Sequence, residues 1–128
     1  RVASMMQMVL IQVGVHSFAL EAQAVLSMEP ILSADLSDIA QVDLSAIVGT
    51  QATRVEPTSL LRLQIADQPA VLLLEHRARL IQIPIQQLWP LPKALDAVKQ
   101  HPCIKGVAVH EQEWLVLLDA RLVPIVKD

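Results

Sequence analysis

Short apolar runs separated by turn residues constrain the fold of this chain more than any other feature. The run MQMVLIQV at residues 6–13 ends at Gly14, and a tight turn leads to FALEA at residues 18–22, where alternation is typical of a hairpin partner. Similar runs follow at residues 60–67, 69–76, 78–85, 103–110 and 113–120. Because runs this short form strands more readily than helices, the sequence predicts a succession of hairpins.

Turn and breaker residues divide the chain between these runs. Proline lacks the amide N–H of a strand ladder, so regular pairing is expected to end near Pro84, Pro90 and Pro92. Residues 43–49 read as a short helical turn, with Asp43 as its N-cap and Gly49 as its stop. The polar residues 50–59 read as a loop. The pattern favours an all-β sandwich or barrel with two β-rich segments, at about residues 1–50 and 60–123.

The composition is unusually apolar for a chain of 128 residues. Hydrophobic residues make up 53% and charged residues 18%, which predicts strands buried on both faces or a surface that a partner covers. The only aromatic residues are Phe18, Trp89 and Trp114, and the net charge is −3 without any run of Lys or Arg. Base-stacking platforms and phosphate-binding stripes both need more than this, so nucleic-acid binding is not expected.

Cysteine content and apolar run length bear on the compartment. Cys103 is the only cysteine, which excludes an internal disulfide and a thiolate metal site and fits a reducing, cytoplasmic environment. The best reading of Cys103 itself is a small buried apolar residue. The longest apolar stretches, at residues 70–74 and 114–118, are far shorter than the roughly 20 residues of a spanning helix, so no membrane insertion is expected.

No motif in the sequence carries recognisable chemistry. The four histidines are scattered and form no HExxH, and three glycines cannot build a phosphate-binding or dinucleotide-binding loop. No serine lies in a GxSxG elbow. The carboxylates of Asp35, Asp38 and Asp43 suit capping and turn positions better than acid–base work. The sequence therefore predicts no catalytic residue, no cofactor and no metal, which argues against an enzyme.

The order of segments resembles the CheW family of bacterial chemotaxis adaptors. The resemblance covers residues 6–123 and comprises VLIQVG, FALEAQAVLSM, a VDL segment ending at Gly49, LLRLQI, PAVLLLE, ARLIQIPI, WPLPK and HPCIKGVAVHEQEWLVLLDARLV. The last of these is the most specific. It has a residue pair before Gly106, a hairpin, and an apolar run that ends in Asp119 before a short helix.

One segment departs from the family pattern. Residues 29–41 are too short to hold the family's Gly-bounded hairpin with its Arg-Gly pair, and Ala40 stands where a proline is expected. Ser27 replaces an acidic residue that usually lies near Val25. The resemblance therefore implies two small SH3-like five-stranded barrels, with the first barrel truncated.

A CheW-like domain implies a non-enzymatic adaptor or scaffold in chemotaxis-type signal transduction. The expected partners are the regulatory domain of a CheA-type histidine kinase and, in addition, a chemoreceptor tip. By resemblance, the candidate protein-binding residues are Ala22, Val25, Ser27, Leu60, Leu80 and Gly106. A shortened first barrel also predicts exposed strand edges, which favour a homodimer.

Two other function classes stay open at the level of sequence. A small-ligand sensor, or a regulatory domain of a larger signalling or twitching-motility protein, predicts a cavity near residues 29–43 with converging polar groups. An enzyme of unrecognised type requires polar groups that converge in a cleft from distant segments.

Overall fold

The computed structural model describes residues 4–31, 36, 38–44, 47, 56–90 and 102–126. Within them the chain forms eleven strands and three single-turn 3-10 helices at Ala22–Ala24, Ile85–Gln87 and Ala120–Leu122. The strands are β1 (Met5–Val13), β2 (His16–Glu21), β3 (Val25–Pro30), β4 (Ala40–Val42), β5 (Ser59–Ile65), β6 (Gln68–Leu74), β7 (Arg79–Pro84), β8 (Leu88–Pro90), β9 (Ile104–His110), β10 (Glu113–Leu118) and β11 (Ile125–Val126).

The strands form two sheets, which confirms the all-β prediction. The six-stranded sheet has the order β7-β1-β2-β10-β9-β8, and the five-stranded sheet has the order β11-β4-β6-β5-β3. β10 pairs with β2, and β4 with β6, in parallel; the other described pairs are antiparallel. Each sheet combines strands from both sides of residues 50–60, and the predicted division into two subdomains stays a prediction. A truncated first barrel stays a prediction, since part of residues 29–41 lies outside the described residues.

The central strand β1 is buried on both of its faces. Val9 and Ile11 pack in one core cluster, which the two sheets share, while Met8 and Leu10 pack in a second cluster inside the six-stranded sheet. Consecutive side chains of a strand point to opposite faces, so only an unbroken apolar run can fill both clusters. The run MQMVLIQV therefore has the buried role that the composition predicts for such strands.

Local turn chemistry fixes the hairpins. Gly14 connects β1 to β2 with a φ of 64°, in the left-handed region that glycine adopts without strain. Glu111 and Gln112 connect β9 to β10 with φ values of 51° and 67°, as in the two-residue turns that match the twist of antiparallel strands. β5 and β6 pair as far as Ile65 and Gln68, so the turn between them lies at residues 66–67.

The predicted helical turns have different outcomes. Residues 120–122 form the expected turn after β10, and the Asp119 carboxylate caps it by accepting a hydrogen bond from the backbone N–H of Arg121 (3.0 Å). Of the turn predicted at residues 43–49, the structure shows a hydrogen bond from Ile47 N–H to the Leu44 carbonyl (2.9 Å), and the rest lies largely outside the described residues. The helical turn predicted at residues 95–100 lies wholly outside them. Cys103 is buried in the shared core, as the sequence predicts.

Candidate protein-binding surfaces

Two of the six predicted contact residues are core residues. Leu60 lies on β5, between β6 and β3, and only 1% of its surface is exposed. Gly106 lies on β9 and is also buried, and a Cβ atom at this position would overlap the carbonyl oxygen of Trp89. Neither residue exposes a side chain at the surface, so the predicted contact role gains no support from burial and stays a prediction. Sequence alone could not separate them from surface residues, since apolar and small residues occur in strands at either place.

The other predicted contact residues lie at accessible positions. Ala22 opens the 3-10 turn where the chain passes from one sheet to the other, and Val25 and Ser27 follow on β3. Ala22 and Val25 are half-buried against the shared core. Leu80 lies on β7, and 58% of its surface is exposed. A binding role for these four residues stays a prediction.

Both β3 and β7 are terminal strands of their sheets. Among the described strands, each of these two therefore has a paired neighbour on one side only. Next to these edges the side chains of Leu26, Met28 and Leu80 are exposed, and we call these three residues the edge surface. Met28 of β3 and Ala78, the residue just before β7, line one small cavity. The sequence placed Leu26 and Met28 in a strand but gave no signal that the strand is terminal.

The outer face of β3 carries an ion pair. Glu29 Oε2 accepts hydrogen bonds from Ser27 Oγ (2.7 Å) and Arg62 Nε (2.6 Å), which joins β3 to its neighbour β5. Hydrogen bonding from Ser27, followed by that from Arg62, lowers the pKa of Glu29 below its usual value of 4.5. Ser27 thus has a structural role, because its hydroxyl donates to the Glu29 carboxylate that joins the terminal strand β3 to β5.

A second charged cluster lies where β2 and β10 end and β9 begins. Lys105 Nζ lies 3.0 Å from Glu21 Oε1, and the Asp119 carboxylate receives Arg121 Nε (3.1 Å) and an Arg121 terminal nitrogen (2.9 Å). The pKa of Glu21 is lowered, chiefly by the hydrogen bond from Lys105, and that of Asp119 is lowered, chiefly by Arg121. Each carboxylate has a cation within hydrogen-bonding distance. The arrangement neutralises charge and leaves no poised acid or base.

The small-ligand alternative predicts a cavity near residues 29–43. A cavity of about 210 Å³ lies beside Glu29, at the start of the region where a ligand pocket is predicted. Ligand pockets typically measure about 300–1,000 Å³, so this one is small for the purpose. Among the described residues no group of three or more His, Cys, Asp or Glu side chains could hold a metal ion. In the same part of the chain, no helix has the length and apolar character needed to cross a membrane.

Solved structures of similar fold include a bacterial scaffolding protein. The crystal structure of the scaffolding protein TtCheW from Thermoanaerobacter tengcongensis superposes with a TM-score of 0.69, over 90% of this chain and 89% of the other. The chain has a CheW-like fold. Sequence identity is only 13%, so the match shows the fold and not the partners. No protein-family model and no curated protein matches the chain.

The Glu29 ion pair predicts a pH dependence of stability. Since the pKa of Glu29 is lower in the folded chain, the unfolded chain binds more protons once the pH falls below about 4.5. The stabilisation is therefore present above that pH and is lost as the pH falls through the folded-state pKa. Urea unfolding gives the free energy of unfolding at each pH from 3 to 6, roughly the carboxylate titration range. The rise of this free energy with pH should be shallower for Glu29→Gln than for the wild type.

The control is Glu56→Gln, which changes an exposed carboxylate just before β5. For this variant, the free energy of unfolding should change with pH as it does in the wild type. Identical slopes for Glu29→Gln and the wild type would show that the ion pair contributes nothing to stability.

Proposed function

We propose that this chain is a non-enzymatic adaptor domain that binds the regulatory domain of a CheA-type histidine kinase in the cytoplasm, with a chemoreceptor tip as a second partner. The observation that carries the proposal is the fold, which is shared with a scaffolding protein over nine-tenths of the chain. The charged groups support it as well, since the carboxylates of Glu21, Glu29 and Asp119 are engaged in ion pairs rather than poised for chemistry.

The edge surface supplies a physical means of binding. An unpaired strand edge accepts a strand of another protein through backbone hydrogen bonds, and neighbouring side chains add specificity. Leu26, Met28 and Leu80 add exposed apolar area beside two such edges. Pro30 ends the β3 edge, because it has no N–H to donate. An incoming strand on β3 would therefore pair mainly with the residues before it.

Substitution of Leu80 tests whether this surface binds the kinase. Leu80→Asp places a charge on an exposed apolar position and should weaken binding of the purified kinase regulatory domain about 30-fold or more, as measured by calorimetry. The matched control is Val126→Asp, because Val126 is also exposed on a terminal strand. Light scattering on the same samples reports a homodimer, since a second copy could occupy the same free edges.

The binding results distinguish the adaptor function from the small-ligand alternative. Kinase binding that Leu80→Asp weakens and Val126→Asp leaves unchanged supports the proposal. Kinase binding without receptor-tip binding would support an adaptor whose altered residues 29–41 have lost the receptor surface. If the wild-type domain binds neither protein, the adaptor function is wrong. The small-ligand alternative would then be preferred, although the cavity beside Glu29 gives it little support.

A further inference from the structure

The two tryptophans of the chain lie side by side on the outer face of the six-stranded sheet. Trp89 on β8 lies opposite Val107 of β9, and Trp114 on β10 lies opposite Val109. Residues two apart on a strand share a face, so these four side chains lie together, and we call them the tryptophan face. The ring centroids are 5.8 Å apart, with the planes inclined by 47°. The exposed fractions are 42% for Trp89 and 66% for Trp114.

Neither ring belongs to the two core clusters. The interior of the same sheet is filled by small and aliphatic residues, among them Ala108, Leu115 and Leu117. Trp89 and Trp114 thus add large apolar surface on the solvent side without filling the core. Exposed apolar patches of this kind mark interaction sites, and tryptophan is among the residues most enriched at the centres of protein interfaces.

Among the described residues, two glutamates border the tryptophan face at its hairpin end. Glu111 lies in the turn before β10, with its Oε1 3.7 Å from His110 Nε2. Glu113 precedes Trp114 and lines the same surface cavity as Trp114, and both glutamates are exposed. The cation nearest along the same face of β9 is Lys105, which is already paired with Glu21. A cation that approaches an aromatic face is attracted by the ring, and adjacent carboxylates add to the attraction.

We propose that the tryptophan face is a docking site for a partner protein segment that carries a large apolar side chain flanked by Arg or Lys. A second copy docked symmetrically would bring Glu111 and Glu113 close to their own counterparts, which is unfavourable. An anionic membrane or a nucleic acid would meet the same repulsion. The site goes beyond the proposed kinase-binding function, because it gives the domain a second face in addition to the edge surface. Bridging two proteins requires such a second face.

Two matched peptides test the proposal without any kinase or receptor. In the first, a leucine is flanked by arginines; in the second, glutamates replace the arginines. The chain has only two tryptophans, so its two indole N–H resonances report this face directly. We expect the arginine peptide to shift both resonances, and the glutamate peptide to bind at least about tenfold more weakly. Trp114→Ala should weaken binding of the arginine peptide at least about tenfold, as followed by the Trp89 resonance.

Control variants separate docking from folding. Leu122→Ala removes an exposed apolar side chain outside the tryptophan face and should leave peptide binding unchanged. Trp89→Ala provides a second test, in case Trp114→Ala alters the hairpin, and circular dichroism monitors the fold. The double variant Glu111→Gln with Glu113→Gln should weaken binding of the arginine peptide only.

Three results would overturn the proposal. The first is the absence of any shift with either peptide, and the second is equal binding of both. The third is a concentration-dependent shift of the indole resonances without peptide, which would identify a second copy as the occupant. Because the probes are peptides, failure here leaves the kinase-binding proposal intact, and failure of kinase binding does not affect this one.

Discussion

Gly106→Ala should reduce the free energy of unfolding by about 3 kcal/mol, the upper part of the range for overpacking a close-packed site. The added Cβ would overlap the backbone carbonyl oxygen of Trp89 and lie 3.4 Å from Leu117 Cδ1. A backbone carbonyl cannot rotate away as a side-chain end can, so β8 must move relative to β9. Urea unfolding measures the loss, and tryptophan fluorescence should report the displacement of Trp89.

Gly14→Ala is the matched control for Gly106→Ala. At Gly14 an added Cβ has no neighbour within 4 Å, but the φ of 64° is unfavourable for alanine. The expected cost is about 1 kcal/mol, from backbone strain alone. Gly14→Ala should leave the tryptophan fluorescence unchanged. Equal losses for the two variants would show that the close approach of β8 and β9 is not what excludes a side chain at residue 106.

Phe18→Ala should cost about 3–5 kcal/mol, as expected for a large side chain removed from a packed core. Phe18 is the only phenylalanine of the chain and is buried in the shared core. It lies opposite Ile11 of β1 and beside Val116 of β10, so the cavity would open at the centre of the six-stranded sheet. Domains of this kind are stable by only about 5–15 kcal/mol, so this variant should be close to the limit of folding.

Val15→Ala provides the comparison for Phe18→Ala. Val15 is almost fully exposed in the turn between β1 and β2, so its substitution should change stability by no more than about 0.5 kcal/mol. Denaturant unfolding of both variants measures the difference between their free energies of unfolding. The dependence of each free energy on denaturant concentration is compared as well. A loss below about 1 kcal/mol for Phe18→Ala would mean that neighbouring aliphatic side chains collapse into the space.

Much of the fold follows from the sequence because it depends on local rules. Alternating and continuous apolar runs located the long strands, since side-chain direction has a period of two along any strand. Gly14 and the Glu111-Gln112 pair marked tight turns, because a two-residue connection needs backbone conformations that only a few turn types supply. The apolar composition predicted strands buried on both faces or a surface that a partner covers, and β1 is buried on both of its faces.

The candidate surfaces depend on tertiary structure. Leu60 and Leu80 are both leucines within apolar strand patterns, yet one lies inside a sheet and the other on a terminal strand. The parallel pairing of β10 with β2 joins segments nearly a hundred residues apart, and no local rule determines such a neighbour.

The sequence by itself determined the long strands, their hairpins and the resemblance to a scaffold fold. Only the tertiary structure decided which apolar residues face solvent, including Leu26, Met28, Leu80 and the two tryptophans. The physical reason is that burial depends on which strands become neighbours and which remain terminal. That choice is made by the packing of the whole chain, whereas strand formation and turn geometry depend on a few adjacent residues.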